Sequence, residues 1–411
     1  MKFAIKQLAF CAAIVCSASA LAQQGETVKI AMIEGLSGPM GNVGQNQLQG
    51  WQYLSNNLPA ELNPAGVKFE IVPMDSKTSP QEALNLLKVA IDQGIRYVTQ
   101  GNGSSVAVPL SEAIAKHNQR NPGKEVIYIN YSAVDPVLTN EKCNWWHFRF
   151  DADTSMKMSA LTSFVKDQPS EKIYLVNQNY SHGHQVSKYF KDGLAKNKPQ
   201  AKIVGEDYVP LGQVKDFSPY VAKIKAAGAD SVVSGSWGQD FTLLVKAMND
   251  AGLKLPIYAY YAGVIGTPTA LAAGDDDLEV YQISYGHSNY DGLVGKIVQD
   301  FKKQFNAEFY TFSIYNSLTG LSHAMAKAGS TDPVKVAAAL SGLQFKGHNG
   351  DSEMRDADHQ FQQGLWITKW EKTNEKYPNS VENTGYTFVP IKYLEREESS
   401  TPTVCKMKRP G

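Results

Sequence analysis

Val28-Lys29-Ile30-Ala31-Met32-Ile33 is followed by Glu34-Gly35-Leu36-Ser37-Gly38-Pro39 and then by a stretch running through Gln49 and Tyr53. The apolar run reads as a β-strand, the Gly- and Pro-punctuated hexapeptide as a turn, and the last stretch as a helix. Working outward, the same unit recurs. Residues 67–72 give a second strand, with Val67, Phe69 and Ile71 alternating; 80–91 give a helix with Pro80 in its first turn and Gly94 past its end. Residues 97–99 and 126–131 read as two more strands. Strands separated by helices of this length predict βαβ units and a parallel sheet.

The pattern then restarts. Helices are expected at 154–166, 183–195, 219–227 (ending at Gly228) and 241–251, with strands at 172–176, 202–204, 231–233 and 255–261. A third stretch gives a strand at 278–283, helices at 293–305, 315–328 and 334–340, and a late strand at 364–370. From Glu371 onward Pro378, Pro390, Pro402 and Pro410 make the tail read mostly as loop. No repeat of solenoid length is visible. The expected class is α/β, with two doubly wound parallel-sheet lobes facing a cleft, where ligands sit beyond the carboxyl ends of the strands.

Composition narrows the function. Apolar residues are 43% of the 411, enough for a real core. Lys+Arg and Asp+Glu are both 40, so there is no basic excess for binding nucleic acid. No apolar run reaches membrane-spanning length. Lys2 and Lys6, the short apolar stretch 8–15 and Ala20-Leu21-Ala22 read as a secretory signal peptide over 1–22, cleaved after Ala22, which places the protein in the periplasm. Val15 before Cys16 and Phe10 before Cys11 argue against lipidation. Cleavage leaves Cys143 and Cys405, as one bridge or as two separate buried thiols.

Four stretches together carry a family likeness: Glu34-Gly35-Leu36-Ser37-Gly38-Pro39; Gly103-Ser104-Ser105; Ser132-Ala133-Val134-Asp135-Pro136-Val137-Leu138-Thr139; and Lys215-Asp216-Phe217-Ser218-Pro219-Tyr220-Val221-Ala222-Lys223-Ile224-Lys225-Ala226-Ala227-Gly228-Ala229-Asp230. In order and spacing they cover nearly all of the chain from Thr27 to Trp370. The chain resembles the type I periplasmic solute-binding proteins of the branched-chain amino-acid (Leu/Ile/Val-binding) class, the receptors of ABC importers. The resemblance implies lobes of residues 23–149 with 284–347 and 150–283 with 348–411. It places three hinge crossovers near Phe148-Arg149-Phe150, Gln282-Ile283-Ser284 and Gly347-His348-Asn349. It implies capture of an amino acid or a related small carboxylate by hinge closure. That means no covalent chemistry, no cofactor, no metal, and docking on permease subunits in the inner membrane.

The resemblance also implies a site. Ser104 would donate its hydroxyl and Ser105 its backbone N–H to a carboxylate, Ser132 and Val134 would offer main-chain groups, and Tyr180 and Trp237 would close over the ligand from the second lobe. For Ser104 and Ser105 the structural alternative is capping of the helix that follows; for Trp237 it is packing under a loop. The family commonly places an acid near Tyr261 for the ligand's ammonium, yet Tyr258-Ala259-Tyr260-Tyr261-Ala262-Gly263 has none. Val43 stands where an aromatic is frequent, and Val134 where a hydroxyl is. An enclosed ammonium without a partner costs several kcal/mol. A carboxylate without an α-amino group, aromatic ones included, therefore fits a pocket rimmed by Tyr180, Trp237 and Tyr261 at least as well; Asp240 and Asp135 are the acids left to supply the charge.

Other chemistry is poorly supported. His182-Gly183-His184 is not completed by an acid or cysteine. Asp275-Asp276-Asp277 and Asp356-Ala357-Asp358-His359 read as solvated loop acids. Asp75 reads as a turn cap, and Ser163-Phe164-Val165-Lys166 falls inside a predicted helix without companion motifs. A ligand sensor on the same fold and, less so, a periplasmic hydrolase are the alternatives; no nucleophile–base pair supports the hydrolase.

Overall fold

The computed structural model describes residues 25–274, 278–284 and 286–410. The expected signal peptide 1–22, with Cys11 and Cys16, and the Asp275-Asp276-Asp277 run lie outside the described residues. Strand β1 (Thr27–Glu34) exposes Thr27 and Lys29 and then buries Ile30 through Glu34 without a break, as a strand covered on both faces must. It lies between β2 (Lys68–Asp75) and β3 (Tyr97–Gln100), and β4 (Ile127–Asn130) and β5 (His147–Arg149) complete a parallel sheet of order β2-β1-β3-β4-β5. The connecting helices start where the sequence caps them. Ser79 Oγ accepts the Glu82 N–H with Pro80 in the first turn, and Gly94 takes φ +75° past the end.

After β5 the chain crosses into a second sheet. The helix Thr154–Val165, capped by Asp153 on the Met156 N–H, leads to β6 (Lys172–Gln178), β7 (Lys202–Val209), β8 (Ser231–Ser234), β9 (Ile257–Ala259) and β10 (Val280–Ser284). It then returns to the first lobe. The helices Gly292–Phe305 and Ser313–Ala328 pack on Gly41–Asn57: Phe301 meets Tyr53 edge-on at 5.6 Å, and the Ile314 and Phe309 side chains crowd Gly50. A small antiparallel sheet follows, β11 (Gln344–Gly347), β12 (Gly350–Met354) and β13 (Phe361–Gln362), whose Phe345, Met354 and Phe361 belong to the core shared with the first sheet. Gly347 pairs with Gly350, so the expected third crossing at Gly347-His348-Asn349 is the turn of a hairpin. β14 (Leu365–Lys372) then re-enters the second sheet, in order β15-β14-β10-β9-β8-β6-β7.

Two readings are corrected. The tail is not loop alone: β15 (Tyr386–Leu394) pairs antiparallel with β14 over its whole length. Pro390 is tolerated because β15 is an edge strand and the register shifts there, between Ile367 and Thr368. Nor is Asp358 solvated. It is 1% exposed and takes both Nε (2.9 Å) and Nη2 (2.6 Å) of Arg355, while His359 stacks on Phe148 at 4.1 Å.

Cys143 and Cys405 are bonded, with Cα atoms 5.8 Å apart. Past β15 the tail leaves the second sheet and runs to the loop before β5. There Thr403 Oγ1 donates to the Thr139 carbonyl and Val404 N to Asn140 Oδ1. The bridge therefore ties the end of the chain to the first lobe, at the loop before β5.

Candidate functional site

Both sheets change direction of winding at one place: between β1 and β3 in the first, between β6 and β8 in the second. Carboxyl ends of strands at such a switch point diverge and leave room for a ligand. A cavity of about 400 Å³ of atom-free space, part of it open to solvent, lies between the two points. The first lobe lines it with Val43, Gln47, Asn102, Ser104, Ser132, Val134 and Tyr310, the second with Tyr180, His182, Trp237, Tyr261 and Val264. Of the seven expected residues the structure gathers six, Ser104, Ser132, Val134, Tyr180, Trp237 and Tyr261. Ser105 is exposed and outside the lining; only its N–H, in the first turn of the helix Ser104–Arg120, faces the helix start.

Three of the polar groups share a direction. Ser104 does not cap its helix; Gly103 takes the N-cap position at φ +88° without a side-chain bond. The Ser104 hydroxyl instead accepts the Asp135 N–H at 3.2 Å, which leaves its own proton to donate. The Tyr180 hydroxyl likewise accepts Trp237 Nε1–H at 2.8 Å, and burial pushes that phenol well above its ordinary value, so it stays a donor. Gln47 Oε1 accepts Asn102 Nδ2 at 2.6 Å, leaving the Gln47 amide N–H groups for the cavity. The main-chain expectation for Ser132 and Val134 is partly closed off. The Ser132 N–H is held by Asn130 Oδ1 at 3.2 Å, and the Val134 carbonyl by Thr154 N at 2.9 Å and Oγ1 at 3.0 Å.

No acid lines this cavity among the described residues. Asp135 caps Val137 N with its side chain, and Asp240 Oδ2 takes Gln178 Nε2 at 2.7 Å and Gly212 N at 2.9 Å. Neither reaches the lining. Glu34, at the end of β1, lies one layer beneath and holds the floor. Its oxygens accept Gly35 N, Gly101 N, Asn102 N and Tyr131 OH at 2.6–3.0 Å, and burial pushes its carboxyl up from the ordinary value. Arg149, fully buried, does the same for the 133–139 loop through the carbonyls of Ala133 and Asp135, with Gln360 and Asp153 as further partners. Behind the Tyr260–Tyr261 wall, Lys157 Nζ sits 4.5 and 5.4 Å from the two ring centroids, paired at 3.0 Å with Asp151. Sequence reasoning missed Tyr310, and also Glu34, Gln47 and Asn102, which are tied to residues far along the chain.

His182 and His184 part company. His184 is exposed and bonds Asn179 Oδ1. His182 lines the cavity, with Nε2 on the Gly235 carbonyl at 2.9 Å, and burial pushes it down to about 4. Its folded pKa is depressed, so its contribution to stability is present above about 6.5 and is lost as the pH falls through about 4. Between these values wild type is expected to lose on the order of 3 kcal/mol more than His182→Gln. Thermal midpoints against pH check this, and parallel curves would contradict it.

The lobes also touch beside the cavity. Met40 and Val43 of the first form one apolar cluster with Trp237 and Val264 of the second, so Trp237 packs and lines at once. A Cβ on Gly238 would come 2.9 Å from Met40 Sδ, and one on Gly212 would come 3.1 Å from Pro39.

The profile of the periplasmic binding protein family matches residues 27–375. The chain belongs to that family. This periplasmic binding protein is 30% identical over 419 residues to Leu/Ile/Val-binding protein homolog 4 of Brucella melitensis, covering 97% of this chain and 98% of the other. It superposes on the leucine-, isoleucine-, valine-, threonine- and alanine-binding protein of Brucella ovis, closed conformation, with TM-score 0.80 and 30% identity over 94% of this chain and 100% of that one. A solute-binding protein of an ABC transporter from R. palustris, solved with benzoate, shares the fold at TM-score 0.76 and 16% identity over 92% and 99%. The family is one of solute receptors, periplasmic and generally not enzymes, and this chain is a substrate-binding protein of that kind.

Proposed function

We propose that this periplasmic binding protein is the solute receptor of an ABC importer and that its solute is a small carboxylate without an α-ammonium group. The observation that carries the reading is the one-sided polarity of the cavity. Ser104, Tyr180 and Gln47 each spend their acceptor inside the protein and keep a donor, the Ser104–Arg120, Ser181–Asn197 and Gln239–Asp250 helices begin at its rim, and no acid lines it. Donors and positive helix ends suit an anion. Trp237, Tyr261 and Tyr310 suit an aromatic or branched apolar body. The benzoate bound by the R. palustris protein is of this class. The names of the 30% identical relatives favour a second reading, an α-amino acid.

In this account the signal peptide is cut after Ala22, the first lobe is 23–149 with 284–347 carried on through β13 to Gln362, the second is 150–283 with β14 and β15, the two close about the hinge, and solute contacts favour the closed form. The closed form then docks on inner-membrane permease subunits. Titration calorimetry with 3-phenylpropanoate tests the site. Ser104→Ala is expected to weaken binding about tenfold, as loss of a bond to a charged group does. Trp237→Ala should weaken it by at least that much, at a lower thermal midpoint because the indole also packs against Met40, Val43 and Val264. Unchanged affinity in both variants would remove these residues from the site.

A further inference from the structure

A second space of about 530 Å³ of atom-free volume adjoins the first. Tyr261, Val264 and Tyr310 line both, so the two are neighbouring chambers that share this wall. Its other walls come from both lobes: Tyr260, Gly263, Gln282 and Phe388 from the second, Phe312 and Glu308 from the first. Two features set its chemistry. Aromatic faces dominate the wall. Glu308, the acid among the described lining residues, is already bonded to Lys302 Nζ at 2.7 Å and to Glu382 N at 2.8 Å. His287 on the same wall stacks on Tyr290 at 4.1 Å and stays neutral, pushed down to about 4 by burial. The second chamber thus offers no unmatched charge, whereas the first offers donors and no acid.

We propose that the solute is an extended carboxylate, its head held in the Ser104–Tyr180 chamber and its uncharged aryl or alkyl tail passing between Tyr261 and Tyr310 into the Phe312–Phe388 chamber. This rests on the carboxylate reading above and adds the length and character of the tail. Apolar area buried against aromatic walls strengthens binding by about 0.8 kcal/mol per methylene. Because both lobes wall the second chamber, a tail there also favours closure.

The test is a calorimetric series with benzoate, 3-phenylpropanoate and 5-phenylpentanoate. Affinity is expected to rise at least tenfold from the first to the last. Gly263 has no left-handed backbone angle, and a Cβ there would lie 3.4 Å from Gln282 Oε1 and 3.7 Å from the Phe388 ring, at the chamber wall. Gly263→Leu therefore fills the tail chamber; it should erase the gain while benzoate binding stays within twofold of wild type. Benzoate binding with no gain along the series, or a gain that survives Gly263→Leu, overturns the tail chamber and leaves the carboxylate reading standing. Failure of all three to bind overturns both. The wild-type series decides on its own should the variant not fold.

Discussion

Replacing Glu34 with alanine is expected to remove about 4 kcal/mol or more of stability and to abolish solute binding. Four donors converge on this carboxylate: the N–H groups of Gly35, Gly101 and Asn102 and the Tyr131 hydroxyl. All are buried. Each orphaned donor costs roughly 1–3 kcal/mol, partly offset because burial already opposes Glu34 ionisation. The Gly101–Asn102 turn immediately precedes the helix at Ser104, and Asn102 orients Gln47, so the damage reaches the ligand cavity directly. Gly101 itself has no slack, since a Cβ there would fall 2.6–2.8 Å from the Tyr131 ring. Glu34→Gln keeps the shape and one accepting oxygen and should fall between wild type and alanine. Urea unfolding of the three proteins checks the order, and an alanine variant with the wild-type midpoint would contradict it.

How much of this was legible in the sequence depended on the range of the interaction. Strand and helix order followed from local pattern: the β1 run, Ser79 and Pro80 before one helix, Asp332 and Pro333 before another. β15 was hidden because Pro390 interrupts an otherwise strand-forming run, and only the sheet edge explains why a proline fits. The β11–β12 hairpin was hidden because its four- and five-residue strands are marginal alone and are held by packing on the Ser313–Ala328 helix. In the site, position along the motif order was enough to gather Ser104, Ser132, Val134, Tyr180, Trp237 and Tyr261. It could not reveal which way their hydrogen bonds point. Ser104 takes its bond from Asp135, 31 residues on, and Tyr180 from Trp237, 57 residues on. Glu34 reaches 97 residues to Tyr131 and Arg149 reaches 211 to Gln360, distances at which no local spacing speaks. Counting cysteines left the Cys143–Cys405 bond open. Deciding it needed the path of the tail from β15 back to Thr139 and Asn140.

The other large effect concerns the charge of the solute. An α-ammonium entering this cavity loses water and meets the donor protons of Ser104, Tyr180 and Gln47, with Asp135, Asp240 and Glu34 all outside the lining. The expected penalty is a few kcal/mol, about a hundredfold in affinity. Phenylalanine and 3-phenylpropanoate differ by that one group and share the carboxylate, the ring and the chain between them. Titrating both into the mature protein by calorimetry isolates the term. The account predicts that 3-phenylpropanoate binds about a hundredfold more tightly; phenylalanine binding as tightly or more so would contradict it.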